Sequence, residues 1–80
     1  MRLRKVKARP DHRLYLEFED GARGVVDVSS RLFGPMFEPL KDPELFQQVR
    51  IDEFGAVSWP NGADLAPDAL REALAELAPR

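Results

Sequence analysis

The sequence predicts an α+β fold: a small antiparallel sheet, made of a three-stranded meander plus a two-stranded hairpin, packed with one C-terminal helix and a short helical turn. Three observations predict it. Leu14, Leu16 and Phe18 alternate with Tyr15, Glu17 and Glu19, the period of a half-buried strand, and Asp20-Gly21 follows as a hairpin signal. Leu70, Leu74 and Leu77 fall at i, i+4 and i+7, the period of a helix packed on one side. Between these segments Gly34-Pro35 and Pro60-Asn61-Gly62 stop any other long element.

The elements follow in order. Arg2 to Ala8 is the first strand, with Leu3, Lys5 and Lys7 on one face and Arg4, Val6 and Ala8 on the other. Neither face is wholly apolar, which an edge strand tolerates. Arg9-Pro10-Asp11-His12 is a turn, because proline fixes φ and Asp bonds the backbone that follows. The third strand, from Ala22 to Val28, must pair with the second in one of two registers. A two-residue loop sets Phe18 against Arg23 and Leu14 against Asp27. A three-residue loop, Glu19-Asp20-Gly21, sets Leu16 against Gly24 and Leu14 against Val26, with Gly21 left-handed in a G1 bulge. A one-residue slip turns every side chain over, so the second register is expected. Residues 29–41 leave the sheet and fold over its core. Asp42-Pro43-Glu44-Leu45-Phe46 is one helical turn, with Asp as N-cap and Pro at the first helical position. Gln48 to Asp52 and Ala56 to Trp59 form the hairpin, joined by Glu53-Phe54-Gly55. The final helix runs from Pro67 to Ala78, with Pro79 ending it.

Composition bounds what such a chain does. Its 80 residues, read as a single domain over 1–80, are 44% hydrophobic and 32% charged with a net charge of −2, the balance of an ordinary globule. Cysteine is absent and there is one His, so disulfides, thiolate zinc sites and multi-histidine metal centres are excluded. No apolar run approaches the roughly 20 residues of a membrane span. Met1-Arg2-Leu3-Arg4-Lys5 has no apolar stretch behind it, so a secretory signal is not expected and a cytoplasmic location is. A core this small leaves a narrow stability margin, and a partner or self-association would widen it.

Two clusters are candidates for function. Trp59, Asn61 and Asp64 offer an aromatic anchor and directional polar groups at a strand end, a set suited to binding a partner. The alternative is that Trp59 lies in the core while Pro60-Asn61-Gly62 makes a turn with glycine at positive φ. Arg2, Arg4, Lys5, Lys7 and Arg9 make the first strand basic. With Arg13 against Asp11, residues 1–13 hold a surplus of five positive charges, and the rest of the chain is acidic. Such a strand could follow a phosphate backbone, or it could simply keep a sheet edge soluble. Catalytic pairings are weaker: Asp11 and His12 share an exposed turn, Ser29 and Ser30 are turn formers, and nothing brings Asp27 and Asp52 together. No enzyme activity, metal or cofactor is expected.

Taken as an ordered set, several segments carry a resemblance. They are Leu14-Tyr15-Leu16-Glu17-Phe18-Glu19-Asp20-Gly21, Val25-Val26-Asp27-Val28, Phe37-Glu38-Pro39-Leu40-Lys41-Asp42 and residues 57–70 around Trp59-Pro60-Asn61-Gly62-Ala63-Asp64-Leu65. Together they resemble the small bacterial family called domain of unknown function 2442. The resemblance implies an α+β fold and no established activity. Some members carry a helix-turn-helix after this module, and some are associated with a second small protein, like a toxin–antitoxin pair. This chain departs from the longer members by stopping soon after Leu70, so direct sequence-specific DNA binding is not expected of it. It departs again at Ala66, where similar sequences often carry a polar, helix-capping residue. The expectation is a non-enzymatic interaction module that binds another small protein, the antitoxin-like or regulatory half of a two-protein system, with self-association left open. The alternative is a nucleic-acid-binding accessory protein using the basic first strand.

Overall fold

Alternation builds the first sheet. Leu14, Leu16 and Phe18 all project from strand β2 (Arg13–Phe18) into the core and are closed from water. β2 is the centre of a three-stranded antiparallel sheet, flanked by β1 (Leu3–Arg9) and β3 (Arg23–Asp27). Leu14 faces Val26 and Leu16 faces Gly24, the register of the three-residue loop. The turn is as expected: Phe18 N–H donates to Ala22 O, Gly21 N–H donates to Phe18 O, and Gly21 has φ +90°.

β1 departs from the expected phase. Leu3 pairs with Phe18 but Lys5 pairs with Glu17, so Arg4 is an extra residue on its side of the ladder. This bulge turns Leu3 onto the face of Val6 and Ala8 and buries it. Lys5, Lys7 and Arg9 are left together on the opposite, exposed face.

The connection is a series of short turns. A 3-10 turn (Ser29–Arg31), α1 (Gly34–Phe37), a second 3-10 turn (Glu38–Lys41) and α2 (Pro43–Phe46) follow one another. Leu32, Leu40 and Phe46 from this stretch enter the core. Asp42 caps α2 by accepting the Glu44 N–H at 3.0 Å, with Pro43 in the first turn.

The second sheet has one strand more than the hairpin expected. β4 (Arg50–Ile51) pairs with β5 (Val57–Ser58), and β5 pairs with β6 (Asp64–Leu65). Pro60-Asn61-Gly62 does not merely stop β5; it turns the chain back along it. Trp59 N–H donates to Ala63 O and Gly62 N–H to Trp59 O, with Gly62 at φ +94°. The turn between β4 and β5 repeats the pattern: Asp52 N–H to Ala56 O, Gly55 N–H to Asp52 O. The β2–β3, β4–β5 and β5–β6 turns are thus one structure, each written as a residue, two more, then Gly-Ala. Each needs a left-handed residue at the same place, which glycine adopts at least cost.

The structure is a computed structural model that describes residues 2–77; the side chains of 76 and 77 are not included. Helix α3 (Pro67–Leu77) closes the core with Leu70 and Leu74, while the predicted packing of Leu77 and the predicted end at Ala78 and Pro79 lie outside the described residues. A Cβ on Gly24 would fall 2.6 Å from Leu74 Cδ1, so the bare backbone there lets α3 approach β3. Arg71 reaches from α3 to Asp20 Oδ2 at 3.1 Å and lies over the Phe18 ring. No helix among the described residues is long and apolar enough to cross a membrane.

Candidate functional site

Of the residues singled out at the strand end, two are used by the fold itself. Trp59 is 1% exposed, stacks on Phe46 with ring centroids 5.8 Å apart, and donates its indole N–H to Phe46 O at 3.0 Å. A side chain so enclosed offers a partner no surface, and the core reading describes it. Asn61 spans its own turn: its Oδ1 accepts the Ala63 N–H at 3.1 Å and its Nδ2 donates to Met36 O at 2.8 Å. It ties the second sheet to α1. Asp64 stands exposed on β6, opposite Ser58. The three residues do not converge on one surface.

The catalytic pairings that the sequence left weak are also taken up locally. His12 Nε2 donates to Lys41 O at 2.9 Å and sets its ring edge against Phe46, while Asp11 lies 3.6 Å from Arg13. Both residues are left-handed, with φ +64° and +56°, conformations that Asp and His adopt more readily than most side chains. Asp52 accepts the Phe54 and Ala56 N–H groups, and Asp27 accepts the Ser29 N–H, each inside its own turn.

The basic strand fares differently. Lys5, Lys7 and Arg9 lie side by side on the outer face of the first sheet, opposite the core. The two ladders arrange that face as three rows: Arg9, Arg13 and Asp27; Lys7, Tyr15 and Val25; Lys5, Glu17 and Arg23. Tyr15 occupies the centre. Val25 beside it is 39% exposed, a large apolar side chain open to water. A shallow groove of about 330 Å³ runs between β1 and this centre, lined by Lys5, Lys7, Arg9, Tyr15, Glu17 and Val25. Arg2 and Arg4 are not part of it. Arg2 lies 3.8 Å from Glu19, and Arg4 projects from the bulge.

The electrostatics of the face are mixed. Five bases surround two acids, Glu17 and Asp27, so the surface is positive with negative points inside it. Tyr15 donates its hydroxyl proton to Glu17 Oε2 at 2.9 Å. That bond, with the negative charge beside it, raises the phenol pKa above its ordinary value. Asp27 is held below the usual carboxylate range by the Ser29 hydroxyl and backbone N–H. What the arrangement offers chemically is a flat, cationic platform with one aromatic ring and one aliphatic side chain at its middle. Sequence reasoning named Lys5, Lys7 and Arg9 but did not place Arg13, Arg23, Tyr15 or Val25 with them. The signal was present in the alternation of Tyr15 with Leu14 and Leu16, which puts Tyr15 on the face away from the core.

Comparison with known proteins gives a family. No curated protein and no solved structure matches the chain. A family model described as a protein of unknown function, DUF2442, matches residues 3–76, which covers both sheets and nearly all of α3. With so much of its length accounted for by one model, the chain belongs to the DUF2442 family.

Proposed function

We propose that this protein is a non-enzymatic interaction module that docks, through the outer face of its first sheet, onto the acidic surface of another small protein. The observation that supports this reading is the three-row face itself. It sets a half-buried Tyr15 beside an exposed Val25 inside a ring of Lys5, Lys7, Arg9, Arg13 and Arg23. An aromatic and aliphatic centre with a charged rim is the anatomy of a protein interface. Glu17 and Asp27 add directionality, since a partner must bring base as well as acid. A regulatory or antitoxin-like half of a two-protein system would need such a surface and no catalytic centre.

A second reading is nucleic-acid binding, favoured by the groove in which Tyr15 lies beside three bases of β1. Stacking on Tyr15 with phosphates on Lys5, Lys7 and Arg9 would suit a single strand. The two carboxylates of the face count against it, because a phosphate backbone crossing the sheet would meet them.

The test is a capture experiment with the tagged chain and a Lys7→Glu/Tyr15→Ala variant, from nuclease-treated lysate of the source cells. The expected result is one small acidic protein, held by the native chain in near-equal amount and lost with the variant. Titration of the native chain with single-stranded oligonucleotides at low salt is the counterpart. Tight binding there, falling steeply with salt, would transfer the proposal to the second reading.

A further inference from the structure

β3 is a free sheet edge whose sequence is complementary to itself. In the β2–β3 ladder the hydrogen-bonded pairs alternate, and the bonds flanking it fix the phase: Phe18 N–H to Ala22 O at one end, Val28 N–H to His12 O at the other. Gly24 and Val26 therefore bond to β2. Arg23, Val25 and Asp27 point their N–H and C=O groups away from it, where the sheet order places no further strand among the described residues. Unpaired edges of this kind are templates for another strand.

The side chains say which strand. Arg23 and Asp27 stand two residues to either side of Val25 and carry opposite charges. Neither has an ion-pair partner within 4.0 Å among the described residues. An edge defended against pairing usually carries like charges, which repel when two copies meet. Here the charges do the reverse. Laid antiparallel on a second copy about Val25, each Arg23 meets the other chain's Asp27, and the two Val25 side chains meet at the centre. The outward-pointing backbone groups of Arg23, Val25 and Asp27 all find partners in that register. A shift of two residues in either direction breaks both charge pairs.

We propose that two copies of this protein pair antiparallel along β3, about a two-fold axis through Val25, to form one continuous six-stranded sheet. The pairing sets the two Val25 side chains against each other, and it joins the two outer faces into a single surface with Val25 and Tyr15 of each copy near its middle and the bases Lys5, Lys7 and Arg9 at its two ends. It does not depend on the identity of any other partner.

Sedimentation over a concentration series tests it, alongside amide exchange. The native chain should shift from monomer to dimer as concentration rises, and the Arg23, Val25 and Asp27 amides should gain protection in step. Arg23→Asp sets Asp against Asp at both ends and should weaken the dimer roughly tenfold or more. Asp27→Arg should do the same, and an equimolar mixture of the two variants should restore dimer as a heterodimer. A chain that stays monomeric to millimolar concentration overturns the proposal. So does a dimer that Arg23→Asp leaves intact, or one in which the three amides remain open. Circular dichroism of each variant separates lost pairing from lost fold.

Discussion

Trp59 shows how one atom decides a role. Its ring is the largest fully buried side chain, and its N–H satisfies Phe46 O at a place water does not reach. Trp59→Phe keeps the stack but orphans that carbonyl, at a cost of ~1–3 kcal/mol. Thermal unfolding of the variant should register the loss at roughly 4–8 °C per kcal/mol for a domain of this size. Trp59→Ala, which also opens a large cavity, should fail to hold the fold. Tyr15 supplies a second residue-scale prediction. It is the single tyrosine, so ultraviolet titration reads it alone. Its midpoint should lie above 10.0, and Glu17→Ala should bring it back toward that value. Because the folded state holds the phenol proton more tightly, this contribution is present below the ordinary tyrosine pKa and is lost as pH rises through the folded one.

At the scale of elements, the turns and caps carry the specificity. α3 begins without a capping side chain: Ala66 precedes Pro67, and its carbonyl accepts the Leu70 N–H at 3.3 Å. Ala66→Ser should supply the missing acceptor and stabilise the protein by about 1 kcal/mol, raising the midpoint of thermal unfolding. The register of β2 on β3 was legible because Leu14, Leu16 and Val26 share a face only one way. The phase of β1 was not. A bulge leaves no compositional mark, and Arg4 in the bulge reads like any base on a sheet edge. β6 was hidden for a different reason: Asp64-Leu65 is too short to show a period, and Pro60-Asn61-Gly62 reads equally as an end or as a turn. The candidate face was half legible in consequence. Three of its bases are written in the first strand, but their meeting with Arg13, Arg23, Tyr15 and Val25 depends on two ladders and a bulge.

Across the whole molecule, one ion pair joins distant parts. Arg71 on α3 binds Asp20 in the β2–β3 turn, 51 residues away in sequence. Asp20 is held below the usual carboxylate range by the Ala22 N–H it accepts and then by Arg71, and Asp27 is depressed by Ser29. Carboxylates depressed by folding stabilise the protein above their ordinary pKa of 3.8 and lose that contribution as pH falls through the folded values. Thermal midpoints measured through this acid range should fall with pH, and Asp20→Asn should flatten the fall. The charge asymmetry along the chain has the same reach. Lys5, Lys7 and Arg9 lie on one face of a molecule with principal extents of 34 × 27 × 18 Å, so the surface field is polarised although the net charge is only −2.

The irregularity at Arg4 makes β1 tolerant of loss at one point only. Deleting Arg4 would leave Leu3 opposite Phe18 and Lys5 opposite Glu17, now in an uninterrupted ladder, with Arg2 still placed to accept the Glu19 N–H. Deleting Lys7 instead would invert the residues before it and carry Leu3 out of the core. A scan of single-residue deletions along β1, read by expression of folded protein, should therefore return a survivor at Arg4 and a failure at Lys7. A shortened chain at that position remains the same protein.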